Sequence, residues 1–83
     1  MITEEIKKIL QQSLSLDTIQ VTGDNNYIEI IAIDNIFHDK NEVERQKIIY
    51  TQLMNYIINK TIHSISIKTY SLKEWKNKQL TNK

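Results

Sequence analysis

Two histidines are the side chains of this sequence that are best suited to metal chemistry. His63 opens the alternating stretch IHSISIKTYSLKEW of residues 62–75, and His38 lies in a polar connector. Period-two alternation over residues 63–69 places His63 on the apolar face of a strand. From the residues alone, His63 is interpreted as a half-buried structural histidine, and a metal ligand at the rim of the sheet is the alternative. For His38, a solvated loop histidine is the default.

The chain contains no cysteine, so it cannot supply a thiolate ligand of its own. Any iron–sulfur site would therefore need sulfur from a partner. The sequence also lacks a nucleophile–base pair, a carboxylate pair at catalytic spacing and a phosphate-binding loop. His38 and His63 are separated by a long predicted helix and have no third partner. We therefore do not expect this chain to be an enzyme.

Length and composition predict one small globular domain. The chain has 83 residues, of which 40% are hydrophobic and 25% charged, and this is typical of a folded protein. We expect a single domain over residues 1–83, with a core at about 3–77 and a Lys-rich tail at 78–83. The acidic N-terminal stretch does not resemble a signal peptide, and no apolar run is long enough to span a membrane. A cytoplasmic monomer without membrane contact is expected.

Charge is unevenly distributed along the chain. Residues 1–59 hold five Lys/Arg and nine Asp/Glu, whereas residues 60–83 hold six Lys and one Glu. Such a distribution is typical of a basic face that binds nucleic acid or an acidic partner, and ordinary solvated lysines are the other interpretation. Nucleic-acid binding is kept as an alternative, although a single glycine excludes a Gly-x-x-Gly loop that clamps the nucleic-acid backbone. The candidate DNA contacts are Arg45, Lys47, Lys60, Lys68, Lys73 and Lys76.

Hydrophobic periodicity predicts the element order α–β–β–α–β–α. A helix covers residues 3–14, a hairpin covers 17–33, a long helix covers about 41–59, and a strand at 63–69 precedes a last helix. A strand, a long helix and another strand normally form a right-handed crossover with the two strands parallel. The sequence therefore predicts an α+β domain, in which helices pack on one face of a three-stranded mixed sheet.

Local patterns predict how the helices begin and pack. Thr3 is a candidate N-cap, and Ser71 with Glu74 forms a candidate capping box. The long helix carries an apolar stripe that is expected to bury against the sheet. On or near it lie Val43, Ile49, Leu53 and Ile57, with Tyr50, Met54 and Ile58 beside them. In the last helix, Leu72 and Trp75 are expected to pack back onto the domain.

Three blocks of sequence resemble the BolA family, in its IbaG-like (YrbA-like) branch. They are SLSLDTIQVTGDNNYIEIIAI at 13–33, RQKIIYTQLMNYI at 45–57 and IHSISIKTYSLKEW at 62–75. The third block is similar to the most recognisable motif of the family, a histidine strand followed by Thr/Ser-x-x-Glu-Trp. The resemblance covers about residues 4–77 and implies a fold like the class II KH domain. It also implies the alternative function, a DNA-binding transcriptional regulator that uses this fold and the basic residues.

The resemblance also implies a partner and a cofactor. It implies a heterodimer with a monothiol glutaredoxin and a shared [2Fe–2S] cluster, in iron–sulfur cluster trafficking or iron sensing. His63 matches the family histidine that ligates the cluster, and the glutaredoxin cysteine and glutathione would supply the remaining ligands. Imidazole in place of a thiolate raises the reduction potential and makes ligation sensitive to pH, because imidazolium cannot bind metal.

Two positions depart from the family pattern. Many relatives carry His or Cys where this chain has Tyr27, and a phenol is a poor ligand at neutral pH. Asp39 replaces the glycine of a Phe-x-Gly step, and Asp tolerates the left-handed conformation, so the turn is expected to persist. Tyr27 and His38 are kept as candidate residues near the cluster.

Overall fold

The computed structural model describes residues 2–59 and 62–81. The elements are α1 (Ile2–Leu14), β1 (Thr18–Gly23), β2 (Ile28–Ile33), a 3₁₀ turn (Asn35–Phe37), α2 (Glu42–Gln52), α3 (Met54–Ile58), β3 (Ile65–Tyr70) and α4 (Leu72–Thr81). The predicted order is confirmed, with the long helix divided at Leu53, whose ψ of 9° departs from the helical value.

The sheet has the strand order β1-β2-β3, with β1 and β2 antiparallel and β2 and β3 parallel. The predicted α+β class and mixed sheet are confirmed. α1 packs on β1, α2 packs on β3, and the two helices also contact each other. α4 lies beside β3, where the ring of Trp75 is centred 5.2 Å from that of Tyr70. Trp75 therefore packs back onto the domain as predicted.

The core lies between the sheet and the helices α1 and α2. Alternation along the strands gives the sheet one buried face, because successive side chains point to opposite sides. Full burial of one such side chain contributes about 1.5–3 kcal/mol. The fully buried aliphatic residues are Ile6 and Leu10 of α1, Ile28, Ile30, Ala32 and Ile33 of β2, and Ile49 and Leu53 of the α2 region.

Two turns depend on residues in the left-handed region of backbone conformation. Gly23 has φ 112°, and a Cβ atom there would lie 2.1 Å from the carbonyl oxygen of Tyr27, so no larger residue fits. Asp39 has φ 67°, which confirms that aspartate preserves the turn at this position. Asp24 completes the hairpin turn, because its Oδ1 accepts hydrogen bonds from the N–H groups of Asn26 and Tyr27.

Several sequence predictions are corrected by the structure. Thr3 lies inside α1 rather than before it. Val43 is 61% exposed, because about 100° of rotation per residue turns it away from buried Ile49, six positions later. Leu72, the first residue of α4, is also exposed, so the prediction that it packs back onto the domain is wrong.

At the C-terminus, α4 continues to Thr81, so residues 78–81 extend a helix rather than form a separate tail. Lys60 and residues 82–83 lie outside the described residues. Among the described residues, no helix has both the length and the apolar character needed to cross a membrane.

Candidate functional site

His63 lies at the end of the sheet where β3 begins. The strand starts at Ile65, so His63 precedes it by two residues. The His63 N–H donates to the carbonyl of Asn25 at 3.0 Å, and the Ile28 N–H donates to the carbonyl of Ser64 at 2.9 Å. These main-chain bonds fix the backbone around His63 against the β1–β2 turn.

The side chain of His63 is exposed, so its predicted position on the buried face is wrong. Strand alternation begins only at Ile65, and the backbone before it bends toward Asn25 instead of continuing the pleat. The imidazole makes no hydrogen bond with the residues that the structure describes. This geometry does not fit a half-buried structural histidine, and it leaves the ring nitrogens accessible to a partner.

Tyr27 lies at the same end of the sheet as His63. It immediately precedes β2, and its neighbour Ile28 is the residue bonded to Ser64. Its side chain is exposed, while its carbonyl accepts a hydrogen bond from Asp24 within the turn. The structure therefore brings together two of the three residues that the sequence predicted near a cluster.

His38 lies at the opposite end of the sheet. It follows the 3₁₀ turn beyond the C-terminal end of β2, whereas His63 lies before the N-terminal end of the parallel strand β3. Six residues of strand at about 3.3 Å each separate these ends by roughly 20 Å. The His38 ring is exposed, and its Nε2 atom is 3.3 Å from the Oδ1 atom of Asp39. The structure thus does not bring His38 to His63.

A metal at the His63 end would need ligands from another molecule. Among residues 2–59 and 62–81, no group of three or more His, Cys, Asp or Glu side chains is arranged to hold a metal ion. The described residues thus offer His63 at this end as a single candidate ligand and not as part of a complete metal site.

Arg45 is bound within the domain at the other end of β3. Its Nη1 and Nη2 donate to the two carboxylate oxygens of Glu74 at 2.7 and 3.1 Å, and its Nε donates to the carbonyl of Lys40 at 2.9 Å. The hydrogen bonds that Glu74 accepts from Arg45 and from the Ser71 N–H lower the pKa of its carboxylate to about 2. Arg45 is thus committed to a structural ion pair.

A comparison with known protein families assigns the chain. Residues 8–74 match the family model described as BolA-like protein. This chain belongs to the BolA-like family. The resemblance seen in the sequence is confirmed.

Relatives by sequence agree with the family and with its IbaG-like branch. The chain is 38% identical to the acid stress protein IbaG of Escherichia coli over 71 residues, which cover 86% of this chain and 84% of that protein. It is 58% identical over 77 residues to an uncharacterized protein of Buchnera aphidicola from Baizongia pistaciae, covering 93% and 98% of the two chains.

Solved structures of BolA proteins share the fold. A BolA protein homologue from Coxiella burnetii superimposes with a TM-score of 0.76 at 25% identity, covering 89% of this chain and 95% of that chain. A bol-like protein from Babesia bovis superimposes with a TM-score of 0.80 at 21% identity, covering 93% and 92%. The latter similarity shows the fold alone.

The basic residues predicted to contact DNA are dispersed over this BolA-like fold. Lys47 lies on α2, Lys68 on β3, and Lys73 and Lys76 on α4. The Nζ atom of Lys68 is 3.5 Å from the Oε2 atom of Glu29. Lys47, Lys73 and Lys76 are exposed, and Lys60 lies outside the described residues. Among the described candidates, Arg45 and Lys68 are therefore paired with acids.

Two structural features were missed at the level of sequence. Asn41 and Glu44 form a capping box at the start of α2, and the same Asx/Ser-x-x-Glu pattern that revealed Ser71 and Glu74 could have revealed it. Gln46 donates to the outward carbonyl of Ile67 at 2.7 Å. No local pattern signals this contact, because the two residues are 21 positions apart.

Proposed function

We propose that this BolA-like protein is an adaptor of iron–sulfur metabolism that docks on a monothiol glutaredoxin. In this proposal His63 becomes one ligand of a [2Fe–2S] cluster, and the glutaredoxin cysteine and glutathione supply the others. The observation that carries the proposal is the exposed imidazole of His63, which the main chain fixes at the end of the sheet.

The chemistry of the available donors fits a shared centre. A neutral imidazole nitrogen binds iron well, as in Rieske centres, and it lowers the negative charge at the metal relative to a thiolate. Because the chain has no cysteine, sulfur ligands would come from the partner. Tyr27 lies at the same end and would border the cluster without being a strong ligand at neutral pH.

The cellular role follows from a cluster that is held between two proteins. One imidazole ligand among thiolates makes release dependent on the docked partner and on proton concentration. Such a centre suits the trafficking of clusters or the sensing of iron. The sulfur ligands must remain reduced, so the proposal places the protein in the cytoplasm.

The test is an anaerobic titration of cluster-loaded monothiol glutaredoxin with the wild-type protein, followed by visible circular dichroism. We expect a new spectrum that saturates at equimolar protein. His63→Ala should abolish it, and His38→Ala, the matched histidine at the other end of the sheet, should retain it. Far-ultraviolet circular dichroism checks that both variants fold. An unchanged visible spectrum with wild-type protein would rule the proposal out.

DNA binding is the alternative function, and the structure gives it less support. Arg45 is bound by Glu74, and Lys68 lies beside Glu29. Lys47 on α2 and Lys73 and Lys76 on α4 are the exposed candidates that would carry it. If the titration shows no cluster effect, salt-dependent DNA binding by wild type and by Lys73→Ala/Lys76→Ala becomes the next measurement.

A further inference from the structure

The outer face of α2 and α3 carries exposed apolar side chains at helical spacing. We call this set the outer stripe; its members are Val43, Tyr50, Met54 and Ile58. Val43, Tyr50 and Met54 line one groove and therefore share a face, and Ile58 follows Met54 by about one helical turn. Val43 and Ile58 are 61% and 67% exposed, while Ile49 and Leu53 on the core side of the same segment are fully buried.

The outer stripe is where exposed apolar side chains are most concentrated. Of the seven large exposed apolar residues recorded among the described residues, four belong to it. A groove of about 560 Å³ runs beside three of these residues and is also lined by Glu42, Gln46, Lys47 and Thr51. The area of the outer stripe is within the range that monomeric proteins ordinarily expose, so its position in the fold is what points to a partner. Tyr and Met are also enriched in interfaces, and Met adapts to the shape of its partner.

The outer stripe ends beside the His63 segment. Ile58 is the last residue of α3, and the Ile62 N–H donates to the carbonyl of Tyr56 in the same helix at 3.4 Å. The next residue, His63, is bonded to Asn25 of the hairpin turn. One short segment thus connects α3 to the proposed cluster end of the molecule.

The size of the outer stripe excludes it as a complete interface. Fifteen residue steps at about 1.5 Å and a helix width of roughly 10 Å give a footprint on the order of 200 Å². A stable interface buries about 800 Å² on each partner. A dimer of this chain through the outer stripe alone would therefore be too weak. As an extension of an interface that already includes His63, the outer stripe would supply only part of the buried area.

We propose that the outer stripe is the apolar part of the docking surface for the monothiol glutaredoxin itself. This inference rests on the proposed function and specifies its partner surface. The complementary surface on the glutaredoxin would be an apolar patch next to its cluster cysteine, with a carboxylate opposite Lys47. Lys47 is exposed in the middle of the outer stripe, where its aliphatic stem can lie along apolar surface while its charge meets an acid.

The experiment compares binding of cluster-free and cluster-loaded glutaredoxin. Met54→Lys/Ile58→Lys tests the near end of the outer stripe, and Val43→Lys tests the end farthest from His63. Leu80→Lys is the matched control, because Leu80 on α4 is as exposed as Val43, at 61%. Lysine is a good helix former, so these exposed substitutions should not disturb the helices.

We expect Met54→Lys/Ile58→Lys to raise the Kd for both glutaredoxin forms by at least about tenfold, as for truncated hot spots. Val43→Lys should act in the same direction, and Leu80→Lys should leave the Kd unchanged. At saturating protein the stripe variants should still give the wild-type visible spectrum. His63→Ala should instead weaken binding of the cluster-loaded form alone.

Each contrary result has one meaning. A His63-dependent spectrum with unchanged Kd in the stripe variants would overturn the outer stripe and leave the proposed function standing. No binding and no spectral change with wild type would overturn the proposed function. A wild-type dimer in sedimentation that Met54→Lys/Ile58→Lys dissociates would assign the outer stripe to a second copy of this chain and overturn the inference.

Discussion

The two ends of β3 are held in place by different kinds of hydrogen bond. Before the strand, the backbone of His63 and Ser64 is bonded to the hairpin turn, and the His63 ring makes no bond with the described residues. After the strand, the side chains of Ser71, Glu74 and Arg45 bond to one another and to the main chain. Side-chain hydrogen bonds across α2, β3 and α4 therefore stabilise the end after the strand, while main-chain hydrogen bonds hold His63 and Ser64 before it.

The densely bonded end also protects the edge of the sheet. The outward carbonyls of Ile67 and Thr69 accept hydrogen bonds from Gln46 and Arg45 of α2. An edge strand with unpaired backbone groups is prone to pair with other chains. Covering these carbonyls with side chains of α2 fixes the helix on the sheet and blocks that edge.

Gly23→Ala should produce the largest loss of stability, and it tests whether backbone geometry fixes the His63 end. Alanine would have to adopt φ 112° and place its Cβ 2.1 Å from the Tyr27 carbonyl oxygen. Strain of this kind costs about 1–3 kcal/mol before the turn moves, so we expect a loss near the upper value in urea denaturation. Asn26→Ala in the same turn should change the free energy of unfolding by less than about 0.5 kcal/mol. Equal effects would show that the turn tolerates a side chain at Gly23.

Glu74→Ala should produce the next largest loss, because it breaks the network at the opposite end. The substitution removes two hydrogen bonds from Arg45 and one capping bond, and it leaves a guanidinium that is only 12% exposed without its partner. We expect a loss of about 2 kcal/mol in urea denaturation. Glu44→Ala is the matched variant, because it removes the equivalent carboxylate from the capping box at the start of α2. Among the described residues, Glu44 forms no ion pair with an arginine. Glu44→Ala should cost about 0.5–1 kcal/mol, and an equal loss in both variants would assign no stability to Arg45.

Acid should weaken the Glu74 end over a defined range of pH. The pKa of Glu74 falls from 4.5 to about 2 in the folded protein, chiefly through the hydrogen bond from Arg45. The unfolded chain therefore binds the proton more readily, and stability from this pair is complete above pH 4.5 and lost as pH falls toward 2. Because the Glu74 side chain is 48% exposed, solvent screening reduces the effect to about 1 kcal/mol.

The measurement for this prediction is the difference in unfolding free energy between wild type and Glu74→Gln at a series of pH values. The difference should be constant above pH 4.5 and should shrink below it. His63→Ala should leave the pH profile of stability unchanged in that acid window. A difference that stays constant down to pH 2 would show that the ion pair adds no pH-dependent stability.

Local sequence patterns predicted the structure wherever one short segment determines it. The capping box of Ser71 and Glu74 and the turn at Gly23 each depend on a few neighbouring residues. The turn at Asp39 was instead expected from the family resemblance. The order of helices and strands followed from apolar periodicity, and the parallel pairing followed from the length of the crossover. These predictions are confirmed because nothing distant in sequence competes with them.

Features set by distant parts of the chain could not be predicted in the same way. The ion pair between Arg45 and Glu74 joins residues 29 positions apart. Val43 faces outward because the direction of α2 is decided by which residues meet β3, and periodicity alone assigned it to the buried stripe. His63 was assigned to the buried face because alternation was extended past Ile65, where bonding to Asn25 ends the pleat.

His63→Ala should produce the smallest change in stability. The ring is exposed and bonds to none of the described residues, so we expect less than about 0.5 kcal/mol. His63→Pro is the matched variant, because it also removes the N–H that donates to Asn25. Losing that main-chain bond should cost about 1 kcal/mol or more, measured by urea denaturation. If alanine were as destabilising as proline, the side chain would have a structural role, and loss of a cluster spectrum in His63→Ala could no longer be attributed to ligation.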